Sequence, residues 1–282
     1  MFSRAKKEMI IILIITFLSG ANFFVMLLFW PTEIYNVYGN NRIDIGVRSL
    51  PIGFGILLGA VVSLLLIPLT KGRIKAIMIF FTALMTAGNG AMSVATPDNI
   101  STIVPITLIA CLGVGGVIIP CSIIAQIICP DDLIATITAI TLSIRYVGGA
   151  VGFTVYYNIF YGKLFALLTS EVGTKIVVYK LHYFQGLPDT SYISNLVTAI
   201  AEARYADFEY LARAAVEYKT VKGKYTYEQF SSIIIRGTQE AFASAYRWPY
   251  WISIAFGGIC FILSMFLGDI KPFLDEHIAV VV

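Results

Sequence analysis

Arg145 is the one charge deep inside an apolar run of this chain, and such a residue is where chemistry is sought first. It lies about 12 residues past the Pro130–Asp132 turn, roughly 18 Å along a helix at 1.5 Å per residue. An arginine at that depth is costly unless it faces a cavity or finds partners, so a solute path is its default reading. The competing reading is structural, with the guanidinium tying together carbonyls of neighbouring helices. Other polar groups in the apolar runs are few: Asn22, Asn89, Gln126 and Asn158, with Tyr146, Tyr156 and Tyr157 close to Arg145 in sequence. Asn22, Gln126, Arg145, Tyr146, Tyr156 and Asn158 are the candidate substrate-pathway residues. Such groups can orient a bulky, mostly apolar solute in a greasy cavity. Each can equally be a hydrogen bond between helices.

Carboxylates are expected only near span ends. Asp131 and Asp132 precede a long apolar run, where they suit free amides and the positive end of the helix dipole, so capping is their expected role. With no Asp or Glu read deep inside a span, the usual proton carrier is missing, and any coupling site is expected on a partner outside the chain. His182 and His277 stand far apart, outside the apolar runs. Cys111, Cys121, Cys129 and Cys260 show no paired spacing and read as small packing residues. Neither a metal site nor a serine–histidine triad is expected, no cofactor is implied, and the chain does not read as an enzyme.

The elements that must position these residues are set by composition. Of 282 residues, 58% are hydrophobic and only 13% charged. A soluble domain keeps roughly a quarter of its residues charged, so lipid is the expected solvent. The net charge of +3 is small and does not suggest nucleic acid. Crossing the hydrocarbon layer takes about 20 apolar residues. That rule yields spans near Glu8–Trp30, Ile45–Leu69, Ile74–Ala95, Ile103–Cys129, Leu133–Leu168 and Trp248–Leu267. The fifth is longer than needed and must tilt, kink or project. Turn chemistry joins them at Pro31-Thr32, Tyr38–Asn41, Lys71-Gly72, Pro97–Asn99 and Cys129–Asp132. Arg4, Lys6 and Lys7 before a run ending at Ser19-Gly20-Ala21 resemble a secretory signal. The run resumes at Phe23, however, so a retained helix is expected.

Basic residues at Arg4, Lys6 and Lys7, and again at Lys71, Arg73 and Lys75, mark one side as cytoplasmic. Asn99-Ile100-Ser101 offers a glycosylation acceptor on the other side. Both termini are then cytoplasmic and Thr169–Arg247 faces outward. The expected organisation is five spanning helices in 1–168, an outer loop in 169–246, a last span in 247–268 and a tail in 269–282. Within the loop, Ile193, Val197, Ile200, Phe208, Leu211 and Ala215 repeat at helical spacing, and Phe230, Ile233, Gly237 and Ala241 do so before the last span. Amphipathic helices covering the bundle are one reading; a gate over the solute path is the other.

Small residues concentrate in the second, fourth and fifth spans. Gly55 with Gly59, and Gly148 with Gly152, stand four apart and open one helix face each, while Gly115, Gly116 and Gly149 add to the same spans. Lipid gives no hydrophobic push between helices, so close backbone packing must supply association. Pro51, Pro105 and Pro120 are expected to interrupt these helices, and breaks with small residues permit rocking. Spans one, two, four and five are expected around a central cavity, with three and six peripheral.

Phe29-Trp30-Pro31-Thr32 with Val37-Tyr38-Gly39, Leu50–Ile56, Cys129–Thr136, Leu142–Arg145, Tyr156–Phe160, Gly268–Ile270 and Asp275–Val281 together resemble the fungal trichothecene efflux pump family of the major facilitator superfamily. Fourteen-helix drug:proton antiporters and siderophore-iron transporters are its relatives. The resemblance runs nearly end to end and implies an all-α membrane protein, the six-helix carboxy-terminal half, with a long helical outer loop before the last helix. It implies efflux of small amphipathic solutes (toxins, drugs or secondary metabolites) by proton antiport at the plasma membrane. The partners it implies are the lipid bilayer and an amino-terminal transporter half. Siderophore-iron uptake, or a membrane remnant that does not transport, are the alternatives.

Overall fold

The computed structural model describes residues 6–39, 41–70, 73–130, 133–178, 195, 198–199 and 227–268. Six helices among them are long and apolar enough to cross a membrane. They are α1 (Lys6–Tyr38), α2 (Arg42–Leu69), α3 (Ile74–Ala91, continued by a 3₁₀ turn Met92–Val94), α4 (Ile100–Ile128), α5 (Ile134–Val178) and α6 (Tyr227–Met265). No strand occurs among the described residues, as lipid requires of a bundle whose backbone groups must bond within each helix. Asp131, Asp132 and the repeat from Ile193 to Ala215 lie outside the described residues, or at isolated positions within them, so cap and loop geometry are not described.

The ends of the helices follow local chemistry. Gly39 takes a φ of 121°, a conformation open to glycine, and so turns the chain out of α1. Asn41 caps α2 by accepting from the Ile43 amide at 3.2 Å. Before α4, the Asn99 carbonyl oxygen accepts from the Thr96 amide at 2.8 Å, while its Nδ2 donates to Val94 O at 2.9 Å.

Three expectations about the helices are corrected. Pro31-Thr32 does not end the first span: α1 continues to Tyr38, with π-turns at Val25–Phe29 and Ile34–Tyr38 flanking the proline. Proline already has a helical φ, and the wider turns accommodate its ring and missing donor. Pro51, Pro105 and Pro120 do not interrupt their helices either, since α2 and α4 run continuously through them. Neighbouring helices and hydroxyl side chains can re-satisfy the freed carbonyls. The last helix starts at Tyr227 rather than near Trp248, so the Gly237 and Ala241 repeat belongs to the same helix as the last span.

α1 touches α4, α5 and α6. α2 packs chiefly on α4, and α3 fills the space between α4 and α6. The core has two storeys. One gathers Ile12, Ile15, Met78, Phe81, Val117 and Cys121 towards the Lys6 end. The other gathers Met26, Phe29, Trp30, Tyr156, Phe160, Tyr246 and Tyr250 towards the Tyr38 end. The α2–α4 contact is backbone on backbone: a Cβ on Gly59 would collide with the Leu112 carbonyl, and one on Gly115 with that of Ile56. α6 therefore takes a fuller part in the bundle than a peripheral helix would, packing against α1, α3 and α5.

Candidate functional site

The expected pathway residues separate into two environments. Tyr146 and Asn158 stand on the open face of α5, where Tyr146 is 62% exposed. Asn22, Arg145 and Tyr156 are buried inside the bundle, and Gln126 is half-buried near the end of α4. They do not converge on one cavity. A groove of about 390 Å³ lies instead between α3 and α6, lined by Ala83, Thr86, Ala87, Gly90, Ile254, Gly258 and Phe261. It is an open groove between the third and sixth helices, distinct from the central cavity expected among spans one, two, four and five.

Asn22, Gln126 and Arg145 bond to neighbouring helices, whereas the Tyr156 hydroxyl is buried without a hydrogen-bond partner. Asn22 Oδ1 accepts from Asn89 Nδ2 at 2.9 Å, joining α1 to α3. Gln126 donates to the Thr138 hydroxyl at 2.9 Å, joining α4 to α5. Arg145 donates from Nη2 to the Ile118 carbonyl at 3.3 Å, two residues before Pro120, and Ser122 Oγ donates to the same oxygen at 3.2 Å. A bond of this kind is what the structural reading of Arg145 expects, here to one carbonyl of α4. Its Nε is buried without a partner, and its own carbonyl lies where a Cβ on Gly20 would collide.

The open face of α5 has a different character. Ser143, Tyr146, Val147, Ala150, Thr154, Tyr157, Asn158 and Tyr161 are exposed at helical spacing. Tyr157 and Tyr161 stack with centroids 6.1 Å apart. Asn158 Nδ2 donates to Thr154 O at 2.8 Å, and the residue is exposed. The exposed face of α2, by contrast, is aliphatic and aromatic: Leu50, Phe54, Leu57, Leu58, Val61 and Leu65. Polar residues on an exposed span face are costly against lipid and customary against a water-filled path or another bundle.

Sequence reasoning missed a carboxylate. Glu33 is fully buried in α1, past the Trp30 end expected for the first span. Its Oε2 accepts from the Tyr250 hydroxyl at 2.6 Å, 217 residues away. One helical turn along α1, Asn36 Nδ2 donates to Tyr246 Oη at 2.8 Å. Ending the span at Trp30 hid this residue. The signal for it was the buried series Trp30, Glu33, Ile34 and Val37, which keeps helical spacing beyond Pro31.

A sequence profile of the fungal trichothecene efflux pump family matches residues 1–282, the whole chain. The chain belongs to the fungal trichothecene efflux pump family. Among individual relatives, an aspyridones efflux protein of Neocamarosporium betae is 30% identical over 225 residues, 74% of this chain and 39% of that protein. The trichothecene efflux pump TRI12 of Fusarium sporotrichioides is 20% identical over 275 residues, 96% of this chain and 43% of that protein. The chain thus spans about two fifths of the length of these curated relatives. Family membership and six membrane-length helices make it a multi-pass membrane protein.

Proposed function

We propose that this chain supplies the carboxy-terminal bundle of an efflux transporter. Joined to an amino-terminal bundle, it moves small amphipathic toxins, drugs or secondary metabolites out of the cell by proton antiport. The polar, exposed stripe on α5 is the observation that carries the reading: a face with Tyr146, Thr154, Tyr157 and Asn158 suits a second bundle and a solute path. The relatives named for efflux, matched over about two fifths of their length, support the same division. Tyrosine rings and one amide suit solutes with apolar rings and scattered oxygens, which need contact area and few fixed hydrogen bonds.

Basic residues support an orientation with both termini cytoplasmic, at the plasma membrane. Lys6 opens α1, and Arg73 and Lys75 flank the start of α3, so alternation of the helices puts them at one end of the bundle. The test joins the chain to the amino-terminal part of a relative, in vesicles with an imposed pH gradient. Gradient-driven movement of a fluorescent amphipathic dye is expected, and Tyr157→Ala with Asn158→Ala should reduce it several-fold at normal membrane abundance. Dye movement that ignores the gradient, or is unaffected by the α5 variants, overturns the proposal.

A further inference from the structure

We infer that Glu33 is a proton-binding site set in the α1–α6 seam, with Tyr250 as its donor and the separation of the two helices as the event that opens it. The inference deepens the proposed antiport and rests on that reading for its purpose, though not for its geometry.

Glu33 has no exposed surface, and only Oε2 is bonded, to Tyr250. Oε1 is buried without a hydrogen-bond partner. Among the described residues no lysine, arginine or histidine pairs with Glu33. The titratable groups facing it are Tyr246 and Tyr250 from α6 and Tyr38 from its own helix; the cation Arg48, half-buried on α2, acts on Tyr38. A single hydroxyl donor does not replace the hydration of a buried anion, so an ionised Glu33 in this packing would be strongly unfavourable. A protonated Glu33 carries no such burden: it accepts from Tyr250 on Oε2 and holds the proton on Oε1. Chemically the exchange is simple, because the Oε1–H bond breaks, the electron pair stays on oxygen and the proton leaves to water.

Water reaches Oε1 only if the seam parts. The seam is built for a reversible contact rather than for fusion. On the α1 side stand Phe29, Glu33 and half-buried Asn36; on the α6 side Phe242, Tyr246 and Tyr250 repeat every four residues. Two hydrogen bonds and edge-on rings hold it, with Phe29 and Tyr246 centroids 6.2 Å apart. Such bonds in membranes contribute modestly each, so their exchange for water is within reach of a conformational step. Proton binding favours the closed seam and loss of the proton favours the open one; the coupling is reciprocal by linkage. Neither the α5 face nor Arg145 is needed for this.

The experiment needs no solute and no gradient. The protein is purified in the assembly in which it is expressed, placed in lipid nanodiscs and titrated while infrared difference spectra are recorded. The expected result is a protonated-carboxyl band that persists in buffers where exposed carboxylates are ionised. Glu33→Gln should abolish it, and Tyr250→Phe, which keeps the ring but loses the donor, should shift its frequency. Alkaline titration that removes the band should increase amide exchange along residues 242–250. Absence of the band, its survival in Glu33→Gln, or its removal with no change in exchange at 242–250 overturns the inference. Should Glu33→Gln fail to fold, the frequency shift in Tyr250→Phe decides: an unshifted band is not that of Glu33. A titrating band beside gradient-independent dye movement would reject the proposed antiport and leave this site standing.

Discussion

The α1–α6 and α2–α4 contacts join helices in the same bundle by opposite means. α2 and α4 meet through absent side chains: Gly59 receives the Leu112 carbonyl and Gly115 that of Ile56. α1 and α6 meet through large, partly polar ones, with Glu33 on Tyr250 and Asn36 on Tyr246. The first contact gains its strength from backbone proximity and dispersion, which lipid cannot replace. It has one good geometry and loses most of it on any displacement. The second has hydrogen bonds that water can take over. A membrane bundle that must move needs both kinds, and the difference identifies which pair of helices travels as one body.

The largest effect is expected from breaking the rigid contact. Gly59→Leu places four carbons where the Leu112 carbonyl lies, and no rotamer removes the first of them. Overpacking typically costs about 1–3 kcal/mol, and a backbone collision belongs at or above the top of that range. Detergent or steric-trap unfolding should show the loss, together with reduced membrane abundance. Gly46→Leu, at an α2 position where a Cβ meets nothing, is the control and should be silent. Equal losses from both would mean that α2–α4 proximity is incidental, and the comparison would fall.

What could be read from the sequence follows the same division. Gly55 and Gly59, four apart, identify a small-residue face without any knowledge of the partner, because the device lies in one helix. Six spans were legible for a similar reason, hydropathy being local. The polar seam was not legible. Glu33 and Tyr250 are 217 residues apart, and neither is remarkable until the fold brings them together. Pro31 compounded the difficulty, since a proline after an aromatic run reads as a stop, whereas α1 absorbs it with π-turns. Likewise Arg145 was legible as costly, but its bond to Ile118 O depends on how α4 and α5 pack.

Arg145 sharpens the comparison because it combines both devices, a backbone approach to Gly20 and a polar bond to Ile118. Arg145→Ala removes a charged donor and a buried stem, and a loss of about 1.5–3 kcal/mol in unfolding is expected. Arg145→Lys keeps the charge without the planar fork and should fall between Ala and wild type. Surface abundance and dye efflux must be measured together in the joined protein. Lost efflux at unchanged stability in both variants would move Arg145 from the packing of the bundle to the path of the solute.

The smallest effect is expected where α6 begins. Asp98, in the turn between α3 and α4, accepts from Arg236 of α6, and that bond holds its carboxyl below the ordinary carboxylate range. Arg236 also donates to Glu240 at 3.2 Å on its own helix. The Asp98 side chain is 73% exposed, so water and salt screen the pair and its contribution to stability is slight. The sign is fixed nonetheless. A depressed carboxyl contributes fully above its ordinary value and loses that contribution as pH falls through the lowered one. Acidification through the carboxylate range should therefore raise amide exchange at 234–240 in the wild type. In Asp98→Asn, exchange there should already be raised at neutral pH and indifferent to acid, with thermal unfolding unchanged. High salt should bring the wild type partway to the variant. A drop in thermal stability comparable to that of Gly59→Leu would show instead that α6 is pinned at its start, and that the seam below it is not free to part.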